Sequence, residues 1–108
     1  MNFKMGDYTN CYYEIAEIVD EFDDVVCTVA QRDVDFVLGV LNENEQLKYG
    51  KFGSKFEMGD YTVCRYDICE IIDADDEDYY DVICTVATRD VDTVLGILEE
   101  NLKLKGDN

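Results

Sequence analysis

The sequence predicts an α+β fold. Two tandem ββα repeats, residues 1–50 and 51–108, form one four-stranded antiparallel sheet with two helices on one face, related by a pseudo-twofold axis and sharing one core. The first of three supporting observations is an internal duplication. Phe3 to Asp20 recurs at Phe56 to Asp73 with 12 of 18 positions identical, and Asp24 to Asn44 recurs at Asp81 to Asn101 with 16 of 21 identical. The second is a pair of apolar, period-2 runs in each copy, and the third is the switch to a period of 3.6 that follows them.

Each element follows in order. Tyr12 to Val19 and Arg65 to Ile72 are rich in Tyr, Ile and Val, the composition of strands. Tyr13, Ile15 and Val19 share one parity while Ile18 takes the other, which points to a bulge near Ala16-Glu17 or to burial of both faces. Val25, Cys27 and Val29 alternate with Val26, Thr28 and Ala30 as a second strand, and Val82, Cys84 and Val86 repeat it. The acidic stretch between the strands is the hairpin connection. The offset between copies grows from 53 to 57 there, so four extra residues fall within Ala74 to Tyr80, which reads as a longer surface loop.

Val34, Val37, Leu38 and Leu41 then mark an amphipathic helix, matched by Val91, Val94, Leu95 and Leu98. Asp33 and Asp35, like Asp90 and Asp92, suit its cap and first turn, and Lys48, or Lys103 and Lys105, suits its far end. Gly50 and Gly53 punctuate the linker between copies. Gly39 and Gly96 sit mid-helix, at a cost of about 1 kcal/mol each relative to Ala. Their presence in both copies predicts a close approach of helix to helix or helix to sheet, with simple inheritance from the duplication as the alternative. A single ββα unit is marginal alone, but two can pair their hairpins. The open sheet face then carries Tyr and acidic residues.

Composition narrows the function. The 108 residues include 26 Asp+Glu, 9 Lys+Arg and no His, for a net charge of −17. Without His there is no imidazole base, no His-activated nucleophile and no His metal ligand. Direct nucleic-acid binding is disfavoured, because it needs cations to release phosphate counterions. No apolar run approaches the roughly 18 residues of a membrane span, and nothing resembling a signal-peptide core follows Met1 to Lys4, so a cytoplasmic location is expected. Cys11, Cys27, Cys64, Cys69 and Cys84 form no C-x-x-C pair and read as reduced thiols.

Catalytic and metal sites fare poorly. Asp73, Asp75 and Glu77 imitate the start of a calcium loop, but Asp78 stands where Gly is needed and Cys84 where Glu is needed. Glu17 and Glu70 each break an apolar strand and recur between copies. They are the sharpest acid–base candidates, against the plainer reading of a Glu facing solvent or beside a bulge. The Arg32-Asp33 and Arg89-Asp90 steps read as helix-start charges. The expectation is a non-enzyme with no metal and no cofactor.

The charge itself is the strongest signal. A globule of this length is roughly 34 Å across, and duplex DNA carries about 20 charges over that distance. A net charge of −17 approaches that density. In its small size, acidity and lack of His, the chain resembles virus-encoded inhibitors that mimic nucleic acid, the anti-restriction and anti-CRISPR class. The resemblance implies a cationic DNA-binding protein or nuclease as partner, for example a Cas9-type effector in a host cytoplasm. The expected contact residues are the hairpin loops: Asp20, Glu21, Asp23 and Asp24 in the first copy, and Asp73, Asp75, Asp76, Glu77, Asp78 and Asp81 in the second. The inhibitor would be a monomer or homodimer. The alternatives are a protein-interaction or oligomeric scaffold module using the Tyr-rich sheet face, and a protein that binds a cation or small ligand.

Overall fold

A computed structural model describes residues 3–50, 56–76 and 79–106; the side chains of 74–76 and 79–80 lie outside the description. The elements run β1 (Phe3–Val19), β2 (Val25–Ala30), α1 (Val34–Tyr49), β3 (Glu57–Asp76), β4 (Tyr79–Ala87) and α2 (Val91–Leu104), with a single 3-10 turn before each helix. β1 and β3 extend well beyond the expected Tyr12 and Arg65 starts. Their first halves carry Gly, Asp, Thr and Asn, which give little strand signal locally. The two copies pair with each other there, antiparallel, from Phe3 opposite Asp73 to Val19 opposite Glu57. A long-range partner thus extends strands that local propensity does not specify.

All strand pairs are antiparallel, but the sheet is not open. It closes into a barrel in the order β1-β2-β4-β3, with β2 and β4 meeting at a single pair, Val29 and Val86. The expected open face is therefore split. Tyr13 and Tyr66 are half-buried, whereas Tyr8, Tyr12 and Tyr61 stay exposed on the β1/β3 ribbon.

The core follows strand parity. Ala16 and Ile18, Cys27 and Val29, Cys69 and Ile71, and Cys84 and Val86 take one face of their strands. They pack with Val34, Val37 and Leu41 of α1 and Val91, Val94 and Leu98 of α2. The helices meet each other through Asn44 and Asn101, both buried, whose side chains hydrogen-bond at 2.8 Å. Asn44 also donates to Glu100 and Asn101 to the Val40 carbonyl, so neither buried amide is left unsatisfied. α1 ends at Gly50, whose φ of 68° and N–H bond to the Gln46 carbonyl make a left-handed cap.

Three pairs of residues at matching positions of the two sequence copies touch each other: Tyr12 with Arg65, Val29 with Val86, and Asn44 with Asn101.

Two expectations are overturned. Gly39 and Gly96 are exposed, and a methyl group at either would meet nothing within 4 Å. They mark no close approach. The four extra residues of the second copy do not open a long loop either. β3 runs to Asp76 and β4 starts at Tyr79, with those two residues paired, so the insertion lengthens the hairpin.

Candidate functional site: twin clefts and acidic turns

The repeated Met-Gly-Asp triplet builds the first feature. Gly6-Asp7 on β1 lie opposite the single residue Glu70, and Gly59-Asp60 on β3 lie opposite Glu17. Two residues against one is a β-bulge, as expected near Ala16-Glu17. Glycine is needed because the backbones crowd: a Cβ on Gly6 would stand 2.9 Å from Ile72 Cγ2, and one on Gly59 3.0 Å from Val19 Cγ1. Each bulge brings an Asp to the same cleft as the Glu opposite.

Two small clefts result. One, of about 180 Å³, is lined by Asp7, Cys11, Tyr13, Arg32, Glu70 and Thr85 among others; its counterpart, of about 150 Å³, is lined by Ile15, Glu17, Thr28, Asp60, Cys64 and Tyr66 among others. Glu17 and Glu70 are thus both beside a bulge and on a cleft wall. Among the described residues, no basic side chain comes within ion-pairing distance of Asp7, Glu17, Asp60 or Glu70, and their carboxylates accept no hydrogen bond.

The Arg-Asp steps are not ordinary helix caps. Asp33 and Asp90 occupy N-cap positions without capping their own helices. Asp33 instead accepts the N–H of Thr85 at 2.9 Å, and Asp90 that of Thr28 at 2.9 Å. β2 and β4 pair only at Val29 and Val86, so neighbouring amides need another acceptor. Arg32 lies 3.6 Å from Asp33 and donates to Thr85 Oγ1, while Arg89 lies 3.5 Å from Asp90 and donates to Thr28 Oγ1. The two steps clasp the seam between copies, and each guanidinium also sits over a ribbon tyrosine, Arg32 on Tyr13 and Arg89 on Tyr66.

The expected contact residues divide. Asp20 is committed to its turn: its Oδ1 accepts the N–H groups of Phe22 (2.8 Å) and Asp24 (3.0 Å), and Asp23 adopts φ 65°. Glu21, Asp23 and Asp24 are exposed around Phe22, itself 75% exposed. In the second copy Asp73 is half-buried in β3 opposite the exposed Asp81 of β4. Asp75 and Asp76 lie on the β3 backbone, and Glu77 and Asp78 lie outside the described residues.

The outer face of the ribbon exposes Tyr8, Tyr12, Tyr61 and Val63. Arg65 stacks over Tyr12 there, and Asn10 donates to Asp67 at 2.6 Å.

All five cysteines are free. Burial pushes the Cys27 and Cys84 thiols up to about 12, with Asp90 and Asp33 respectively adding to the shift. Burial also raises Cys69, reinforced by Glu70 and Asp7 of the adjoining cleft. Among the described residues no group of three or more Cys, Asp or Glu converges to hold a metal, and no helix is long and apolar enough to cross a membrane.

Sequence reasoning passed over Asp7, Asp60 and the other cleft residues, though a signal exists. Between positions 7 and 17 every second residue (Asp7, Thr9, Cys11, Tyr13, Ile15, Glu17) is identical to its counterpart (Asp60, Thr62, Cys64, Tyr66, Ile68, Glu70). The intervening Asn10, Tyr12, Glu14 and Ala16 all differ from Val63, Arg65, Asp67 and Cys69. The identical parity is the one that lines the clefts. No family model matches the sequence, and no curated protein or solved structure is significantly similar to it.

Proposed function

We propose that the chain is a non-enzymatic inhibitor that fills a cationic nucleic-acid-binding groove of a nuclease or other DNA-binding protein, a Cas9-type effector being one concrete target. The observation that carries this reading is uncompensated charge. Arg32, Lys48, Arg89 and Lys105 are engaged by the chain's own carboxylates, whereas Glu21, Asp23, Asp24, Asp81 and many other carboxylates face solvent. The molecule measures 41 × 38 × 18 Å. A charge of −17 along its longest axis is one per about 2.4 Å, against about one per 1.7 Å for duplex DNA.

Within this reading the chain consists of two diverged ββα copies, residues 1–50 and 51–108, around a pseudo-twofold axis and one shared core. Contacts between matching residues, Tyr12 with Arg65, Val29 with Val86 and Asn44 with Asn101, support that arrangement. The copies offer unlike tips: a tight five-residue turn in one and a longer acidic hairpin in the other.

The test is competition with DNA for a cationic target at two salt concentrations. Wild-type protein should compete, and should weaken steeply as salt rises. Replacing Glu21, Asp23, Asp24, Asp75, Asp76, Glu77 and Asp78 with Asn or Gln should slow association and flatten the salt dependence, because summed charge steers encounter. Full inhibition with unchanged salt dependence would remove the tips from the interface.

A second reading is favoured by one observation: the exposed Tyr8, Tyr12 and Tyr61 on the ribbon's outer face suit an aromatic docking surface. Binding through that face would survive high salt and be lost in Tyr12→Ser.

A further inference from the structure

We propose that the outer face of the β1/β3 ribbon packs against the same face of a second copy of this chain, giving a two-fold dimer. The inference rests on the reading of that face as a docking surface. It is independent of the charge-mimic reading, whose carboxylates lie on the hairpin tips.

Strand register assembles the face. Directly opposite residues point the same way, so Tyr12 with Arg65 and Glu14 with Val63 share one side of the ribbon. The register across the two bulges brings Tyr8 and Tyr61 to that side as well, with Met5 and Met58 towards its ends.

The exposed area is of interface size. Tyr8, Tyr12 and Tyr61 are 65%, 71% and 56% exposed, which at roughly 200 Å² per side chain leaves about 400 Å² of tyrosine surface in one place. Met5, Met58 and Val63, each 47% exposed or more, enlarge it. The largest apolar patch on a typical monomer covers about 300–600 Å², and a stable interface takes about 800 Å² from each partner. Two ribbons stacked face to face at about 10 Å cover such a patch in one contact.

The repeat points the same way. This face differs between copies at Asn10, Tyr12 and Glu14, yet Met5 and Tyr8 recur as Met58 and Tyr61. Packing within the chain does not account for retained side chains that are about half-exposed or more. A partner covering both ends of the ribbon does.

Charge selects the occupant. The chain carries −17, but this face from Met5 to Glu14 and from Met58 to Asp67 holds only Glu14, Asp67 and Arg65, a net of −1. Asp67 already accepts a hydrogen bond from Asn10. Glu14 and Arg65 have no ion-pair partner among the described residues, and Arg65 only stacks over Tyr12. One free anion and one free cation on a single face complement themselves. Under a two-fold axis Arg65 of each copy meets Glu14 of the other, and the pair forms twice. A purely cationic partner is drawn to the acidic tips instead.

The experiment is sedimentation equilibrium of the full chain at low salt and at about 0.5 M NaCl. A monomer–dimer equilibrium is expected, tightening several-fold with salt, because screening relieves the repulsion between two acidic chains and leaves the apolar contact intact. Tyr8→Ser with Tyr61→Ser should weaken it by roughly a hundredfold. Glu14→Arg and Arg65→Glu should each weaken it by roughly tenfold, since like charges then meet across the axis, and the double swap should recover most of the loss. Net charge alone predicts the reverse for Glu14→Arg, which makes the chain less acidic. If the tyrosine variant fails to fold, the charge swap decides. A wild type that stays monomeric at both salts overturns the dimer and leaves the face to a different partner. A dimer indifferent to the tyrosine and charge variants removes the face itself as a docking surface, and a double swap that recovers nothing overturns the two-fold pairing.

Discussion

The two faces of the β1/β3 ribbon differ in how closely the sequence repeats along them. Toward the clefts, Asp7, Thr9, Cys11, Tyr13, Ile15 and Glu17 match their second-copy counterparts; on the other face Asn10, Tyr12, Glu14 and Ala16 do not. The helices show the same contrast. Buried Val34, Val37, Leu41 and Asn44 match Val91, Val94, Leu98 and Asn101, while exposed Phe36 faces a Thr93 counterpart. On the ribbon, retention tracks the cleft side rather than burial: Ala16 and Cys69 are buried and differ, while Asp7 and Asp60 are exposed and match. Strand periodicity turns that rule into alternation, because successive side chains point to opposite faces.

The largest effect that would sharpen this comparison is alkaline. Cys27 and Cys84, identical between copies and buried on the helix side, stay protonated in the folded chain up to about pH 12. An unfolded thiol ionises near 9, so folding holds protons that the unfolded chain has released. Their stabilisation is complete below about pH 9 and declines as pH rises toward 12, by up to about 1.4 kcal/mol per thiol per pH unit. Urea midpoints between pH 8 and 11 check this, and Cys27→Ala with Cys84→Ala should flatten the decline. In the native protein at pH 8, iodoacetamide should label the half-buried Cys11 and Cys64 ahead of Cys27, Cys69 and Cys84.

Next in size is the seam. Asp33→Ala or Asp90→Ala leaves the part-buried amide of Thr85 or Thr28 without its charged acceptor, and each should cost about 1.5–3 kcal/mol in urea unfolding. Asn at either position keeps an acceptor and should recover part of the loss. If both Ala variants were as stable as wild type, retention of the Arg-Asp steps would need another cause.

Glycine offers a case that breaks the comparison. Gly39 and Gly96 are retained yet touch nothing, and packing does not explain them. Ala at either should raise stability by about 0.5–1 kcal/mol, since it removes only the backbone freedom of glycine. Ala at Gly6 or Gly59 should do the reverse, because its methyl would press on Ile72 or Val19. Smallest of all, Asn10→Val and Glu14→Asp on the diverged face copy the second repeat into the first and should stay within about 0.5 kcal/mol.

Much of this was legible in the residues. Val34 to Leu41 announce a helix by spacing, Val25 to Ala30 a strand by alternation, and the misplaced Ile18 a bulge or burial of both faces; the register shifts at Glu17 through an extra residue on β3, and Ile15, Ala16, Ile18 and Val19 are all buried. The first half of β1 was not legible, because Gly6-Asp7-Tyr8-Thr9-Asn10 reads as turn chemistry until a second copy pairs with it. Nor was the role of Asp33 and Asp90. An Asp before a helix looks like a cap in any sequence, and only the placement of the opposite strand redirects it.

Local sequence by itself determined the type of most elements, the core-facing stripe of each helix, the acidity of the tips and the equivalence of the copies. Those properties depend on spacing, propensity and charge, which a chain carries wherever it folds. Barrel closure through Val29 and Val86, the ribbon from Phe3 to Asp73, the clasp at the seam and the meeting of Glu17 with Asp60 and of Glu70 with Asp7 were decided in three dimensions. Each joins residues 38 or more positions apart. Such contacts arise only when one copy supplies the edge that the other lacks, and no local pattern encodes where that edge will be.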